Sequence, residues 1–217
     1  MNIDKIIHKY FHDSDKLPLI EVFDEHNIHG VYSDVITLLR NNPSIELGVL
    51  QILGYCLYEI LDNVIIHSSK NCGIVLLNYQ ELKHSIQIIV ADDGIGIHKS
   101  LQENCKYAGI PEEQALLKCI EDKVTDGKGM GFGLYSTACM INNIGIHFEI
   151  HSCNYLLDFK NGSYCVSKAP YWQGTLVYIE ISSDKEINPN NIIENKTDVE
   201  AEFNDEFLNT DDIDDLW

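Results

Sequence analysis

Between residues 44 and 68 the chain places Val49, Leu53, Leu57, Ile60 and Val64 at helical spacing, behind the start signals Pro43 and Ser44. A helix this long and this apolar must be buried, so the rest of the fold has to supply a broad surface to lie against it. Its polar residues break the pattern in an ordered way. Glu59, Asn63 and His67 fall four residues apart and share one face, with Asp62 alongside. A solvated helix edge would show the same spacing. So would a stripe facing a charged ligand, because carboxylate and amide oxygens are hard donors of the kind Mg²⁺ takes, and a held Glu can orient a water or hydroxyl for attack.

Downstream, residues 72–77 and 85–91 are short β-rich runs joined by the polar NYQELKH, which predicts neighbouring antiparallel strands. The second run empties into Asp92-Asp93-Gly94-Ile95-Gly96-Ile97. A tight turn explains that hexapeptide by itself. It also suits a ligand, since a carboxylate at a strand end can receive an exocyclic amine while two glycines let the backbone come close. Residues 98–128 form a polar stretch with one amphipathic segment, 111–123, headed by Pro111, Glu112 and Glu113, as expected of a movable flap with its own helix.

The flap runs into Gly127-Lys128-Gly129-Met130-Gly131-Phe132-Gly133-Leu134, four glycines at alternate positions before a predicted helix over 133–143 that Gly145 ends. Alternating glycines bare backbone N–H groups at the positive end of a helix, where phosphates bind. A flexible linker seldom alternates glycine with Met and Phe. The spacing is neither GxxxxGK[ST] nor GxGxxG in a βαβ unit, and the HRD and DFG signatures of protein kinases are missing. Residues 147–153 and 175–182 read as further strands.

A formal charge of −19 repels a phosphate backbone, and with no basic patch to offset it a nucleic acid partner is disfavoured. No stretch approaches twenty uninterrupted apolar residues, and the start lacks a signal peptide's apolar region, so neither membrane insertion nor export is expected. Seven scattered cysteines without a CxxC pair argue against zinc and a disulfide framework. They read as reduced, mostly buried small hydrophobes in a cytoplasmic protein.

The order of these elements resembles the GHKL superfamily, shared by histidine kinases, gyrase-type ATPases, Hsp90, mismatch-repair ATPases and anti-sigma-factor kinases. The N box is matched by Glu59-Ile-Leu-Asp-Asn63-Val-Ile-Ile-His67 and the G1 box by Asp92-Asp-Gly94-Ile-Gly96-Ile97. The G2 box is matched by Gly129-Met130-Gly131-Phe132-Gly133-Leu134 and the G3 strand by Gly174-Thr175. The resemblance implies an α+β two-layer sandwich of the Bergerat type, with helices on one face of a mixed, mainly antiparallel sheet. It implies ATP and Mg²⁺ as cofactors, with Asn63 and Glu59 at the metal, Glu59 activating the attacking group and Asp92 reading the adenine amine. His67, Gly94, Gly96, Ile97 and Thr175 would complete the nucleotide contacts, and the glycine run with Met130, Phe132 and Leu134 would line the phosphates beneath a lid over 98–128. Many histidine kinases carry a basic residue where Ile66 stands, and Lys128 is the substitute contact expected here. The SSKNCGIVLLNY, DDGIGIHKSL and PEEQALLKCIEDKVTDGKGMGFGL segments look like small bacterial ATP-binding proteins that work with a STAS-like partner.

The chain therefore divides into an N-terminal extension (1–44), a nucleotide-binding domain (45–184) and an acidic tail (185–217) that composition reads as disordered. In that tail Phe203, Phe207, Leu208, Ile213, Leu216 and Trp217 offer an apolar stripe for a partner. The expected activity is Mg-dependent phosphotransfer to Ser, Thr or His of a separate regulatory protein. Lid closure driving a homodimer switch, and ATP-gated binding without turnover, are the alternatives. His12 sits in HDSDKLP, whose proline comes one position late for a phosphoacceptor H-[ED]-x-x-x-P pattern, and reads as a surface histidine.

Overall fold

The structure, a computed structural model, describes residues 2–14, 17–128, 133–160 and 162–187. In chain order the elements are α1 (Ile3–Tyr10), β1 (Leu19–Asp24), α2 (Ile28–Arg40), α3 (Leu47–His67), β2 (Cys72–Gln80), β3 (Ser85–Ala91), α4 (Gly96–Gln102), α5 (Glu112–Lys118), α6 (Gly133–Ile144), β4 (His147–Lys160) and β5 (Ser163–Ser182). The strands form one sheet in the order β1-β2-β3-β5-β4, antiparallel at every pairing. The parallel component of a mixed sheet is thus missing among the described residues. Otherwise the architecture is the expected α+β sandwich.

Strand alternation sorts the sheet into two faces. Val75, Leu77, Ile86, Ile88, Val90, Val177, Ile179 and Ile181 join a core with Val35 and Leu39 of α2, Ile52, Leu57 and Leu61 of α3, and Met140 and Ile141 of α6. Helix α3 has the length and mean hydropathy, 1.5, of a membrane-crossing helix. It spends that apolarity on the sheet, with Val49, Ile52, Leu53, Cys56, Leu57 and Leu61 all essentially inaccessible to water.

The opposite face carries Ile74, Leu76, Ile89, Ala91, Leu176 and Tyr178, and it is not bare: α1 covers it with Ile6, and Phe11 follows immediately after the helix. The expectation of helices on one face alone is corrected by this short helix. Eight residues are too few for a convincing periodicity, and α1 is held instead by its Asn2 cap, which accepts the Lys5 N–H at 3.1 Å, and by packing. The Tyr10 ring stacks on Tyr178 with centroids 4.7 Å apart, and its hydroxyl donates to Glu149 Oε2 at 2.8 Å. Residues 1–44 also contribute β1, paired along its whole length with β2, and α2, which packs on α3. The stretch set apart as an extension is built into the same body.

Strand β4 does something periodicity does not reveal. His147 and Asp158 stand eleven residues apart, which in an extended strand is roughly 36 Å, yet Nε2 of one lies 3.1 Å from Oδ1 of the other. The strand turns back on itself where the ladder is irregular, at Cys153, whose φ is +54°. Both limbs bury their apolar positions in the same core, Phe148 and Ile150 from the first and Leu157 and Phe159 from the second. All seven cysteines are free, but only Cys56 and Cys153 are buried, while Cys105 and Cys165 are exposed, so the reading of mostly buried thiols holds for part of the set.

If α1 is part of the core, Ile6, which is 2% exposed, should lower stability by about 2–4 kcal/mol when replaced by Ala. Urea unfolding of the full chain measures this, and a loss under about 0.5 kcal/mol would show α1 to be dispensable.

Candidate functional site

One cavity of about 420 Å³ opens beside the polar edge of α3. Glu59, Asp62, Asn63 and His67 all line it, so the stripe faces a hollow. From the other elements come Asp92, Gly96, Ile97, Leu134 and Thr175. Val90, Ile150 and Val177 of the sheet and Ile97, Leu101 and Val124 of the flap add apolar walls of the kind a flat heterocycle needs.

Asp92, at the end of β3, is 2% exposed. Its Oδ1 accepts the Gly94 N–H at 2.7 Å and its Oδ2 the Thr175 N–H at 3.1 Å, so one carboxylate fastens its own turn to β5. Two glycines make this possible. A methyl on Gly94 would run into the Ser68 carbonyl oxygen at the end of α3, and one on Gly174, whose φ is +86°, would run into the Asp92 backbone and carboxylate. The hexapeptide is therefore no hairpin turn: it leads from β3 into α4. Gly94 itself serves the turn and is not in the cavity lining.

Burial pushes the Asp92 carboxyl up to about 6, a rise that the two backbone N–H groups and Lys70 only partly offset and Asp93 reinforces. Asp62 is also raised, by burial first, with His67 and His29 pulling the other way. At Asn63 the amide nitrogen donates to the Glu59 carbonyl oxygen at 2.6 Å, which leaves the side-chain oxygen as the donor for a cation.

His67 lines the cavity and also has a partner on the flap. Its Nδ1 lies 2.7 Å from Oδ2 of Asp126, a residue the sequence pattern did not single out. The same Oδ2 accepts the Ser100 hydroxyl at 2.7 Å, and Oδ1 accepts the Lys128 N–H at 2.9 Å. Burial alone would raise the Asp126 carboxyl; these hydrogen bonds outweigh it and hold it below its ordinary value. Asp126 thus pins the last turn of the flap to α3 and α4. Only its place just before the glycine run could have drawn notice, because a DG pair reads as a turn.

Lys128 is absent from the cavity lining, and its ammonium sits 2.8 Å from Glu103, on the flap. Gly129, Met130, Gly131 and Phe132 lie outside the described residues, as does the tail beyond 187; Gly133 opens α6 and Leu134 reaches the cavity. The flap contains α4 and α5 in place of one helix over 111–123, and it is fastened to β4 by Asn154, which donates to Glu112 at 2.9 Å.

Residues 48–184, more than half the chain, match the family described as histidine kinase-, DNA gyrase B- and HSP90-like ATPases. The chain belongs to that family. No match was found among curated proteins. As a member of the histidine kinase-, DNA gyrase B- and HSP90-like ATPases it is an ATP-binding protein, and the match begins at the second residue of α3 and ends just after β5, enclosing every cavity residue named above. Mg²⁺, the usual companion of ATP in this family, fits the donors on α3: an amide oxygen with its nitrogen already committed and a neighbouring carboxylate, leaving room for water and phosphate.

A carboxyl at about 6 against an ordinary 3.8 favours the fold when it is neutral. That stabilisation is complete below about pH 4 and is lost as pH rises through about 6, so at neutral pH the pocket presents an ionised group to which an amine can donate. ADP should bind about four-fold more weakly at pH 5.5 than at 7.5, following the ionised fraction of Asp92. Calorimetric titration checks this, with Asp92→Asn losing the dependence; an identical pH profile in that variant would remove Asp92 from the contact.

Proposed function

We propose that the cavity holds Mg·ATP and that the protein passes the γ-phosphate to a hydroxyl or imidazole of a separate regulatory protein. The observation that carries this reading is the polarity of one hollow. A buried acceptor, Asp92, and apolar walls lie on the sheet side, while Asn63 and Glu59 lie one helical turn apart on α3. Asp92 receives the exocyclic amine of adenine. The glycine run ahead of α6 is assigned to the phosphates from its sequence, since alternating glycines before a helix offer backbone N–H groups to anions. Glu59 orients the acceptor group and draws its proton as the new bond to phosphorus forms, P–O for a hydroxyl or P–N for an imidazole, and the bond to ADP breaks. The Mg²⁺ held by Asn63 and Glu59 would supply neutralisation of the phosphate charge.

An acceptor on another molecule is supported by the position of His12, the histidine nearest a phosphoacceptor pattern: it lines a hollow with Tyr178 and Gln87, whose side chains occupy the face of the sheet opposite Val90 and Val177. The unpaired state of all seven cysteines supports residence in the reducing cytoplasm. A second reading rests on Asp126: a flap tied to the same helix that holds Asn63 suits a switch in which nucleotide closes the lid and water is the acceptor.

Asn63→Ala should weaken Mg·ATP by at least ~10-fold, whereas Glu59→Gln should bind within about three-fold of the unsubstituted protein and lose ~100-fold or more in turnover. With γ-labelled ATP and candidate partners, label on the partner supports transfer, label released as phosphate supports the switch, and intact ATP in every mixture reduces the protein to an ATP-gated binder. Unchanged affinity in Asn63→Ala would displace the metal assignment.

A further inference from the structure

The face of the sheet away from the nucleotide cavity carries a polar cluster for which ATP binding has no use. The turn-back of β4 brings His147, Glu149 and Asp158 together, with one ligand-capable atom of each within 4.8 Å of the others. His147 Nε2 stands 3.3 Å from Glu149 Oε1 and 3.1 Å from Asp158 Oδ1. Two donors bound to one ion at about 2.1 Å, with an angle of about 90–110° between them, are about 3.0–3.4 Å apart. Both His147 separations fall in that range, and the Glu149 and Asp158 oxygens lie within 4.8 Å of each other.

The surroundings are built as well. His147 Nδ1 faces Glu180 Oε2 at 3.5 Å, which fixes the ring and leaves Nε2 toward the two other carboxylates. Glu180 is in turn held through Oε1 by the Ser85 hydroxyl at 3.1 Å and the Gln87 amide at 3.3 Å. Glu149 presents Oε1 to His147, while its Oε2 accepts the Tyr10 hydroxyl at 2.8 Å and lies 3.7 Å from the Lys9 ammonium. A carboxylate that orients a histidine, which orients a cation, is a recurring support for metal ligands. Three carboxylates converge on one imidazole and one half-exposed lysine, so the cluster keeps surplus negative charge, and the adjoining hollow lined by His12, Lys83 and Glu149 gives an ion a path from solvent.

We propose that His147, Glu149 and Asp158 form a binding site for a divalent transition-metal cation, such as Zn²⁺, Mn²⁺ or Co²⁺, with Glu180 as the positioning carboxylate. One imidazole with two carboxylates is a mixed nitrogen and oxygen donor set, which favours these ions over Mg²⁺ or Ca²⁺. The bound ion would clip the two limbs of β4 together beneath the end of α1, apart from the ATP cavity and independently of turnover.

The test uses the full chain, freed of metal by chelator and without nucleotide, titrated with Co²⁺ by visible absorption and with Zn²⁺ by calorimetry. One equivalent should bind, and thermal unfolding should shift upward with added Zn²⁺. Asp158→Asn, at a half-exposed position the fold can tolerate, should weaken binding at least ~10-fold, and Glu180→Gln by about the same factor through loss of ring orientation. His147→Gln should abolish the Co²⁺ signal. Asn63→Ala, altered only on the nucleotide side, should keep it. Absence of saturable binding, or equal affinity in Asp158→Asn and the unsubstituted chain, overturns the proposal, and Asp158→Asn decides the matter even if His147→Gln fails to fold.

Discussion

Helix α3 has two obligations that pull against each other, and the architecture is the compromise between them. Its apolar flank must be sealed by the sheet and by α2 and α6, which removes most of the helix from water. Its remaining edge carries Glu59, Asp62, Asn63 and His67, groups too costly to seal without partners. A hollow along that edge satisfies both demands at once, since the polar groups keep solvent until a charged ligand replaces it. The position of the cavity follows from this helix rather than from any feature of the loops.

The far wall of the cavity is fixed by a smaller knot. Asp92 binds two backbone N–H groups, one from its own turn and one from β5, and glycines at 94 and 174 let three segments approach more closely than side chains allow. Strand β5, an interior strand of the sheet, thereby helps set the position of the carboxylate. Two hydrogen bonds hold the carboxylate in place, and a group fixed in advance reduces the ordering cost of binding.

Those parts of the molecule that obey a short period were legible in the sequence. Residues 44–68, 72–77, 85–91 and 133–143 became α3, β2, β3 and α6 within a few positions, because each repeats its apolar residues at a spacing that admits one structure. The cavity lining followed, since the motif residues sit at the ends of those elements. What escaped notice depends on distant partners. α1 is too short to show a pattern and is defined by Tyr178 and Glu149. The second limb of β4 needs a reversal at Cys153, a residue with no special preference for positive φ. Asp126 looks like any turn aspartate until the fold sets His67 and Ser100 against it, and Lys128, assigned to phosphate by charge alone, has Glu103 nearer to hand.

The position of β5 bears on how the chain assembles as it leaves the ribosome. Strand β3 pairs with β5 over its whole length, and β5 separates it from β4, yet among the described strands β5 is the last to be made. Until about residue 182 has emerged, the outer edge of β3 has no neighbour, and Tyr10 waits for Glu149, 139 positions later. Early segments must remain exposed through most of synthesis, a period in which unpaired strand edges invite wrong partners. Closure of the sheet, and with it the nucleotide hollow, is therefore a late and cooperative event that no truncated chain ending before β5 can reach.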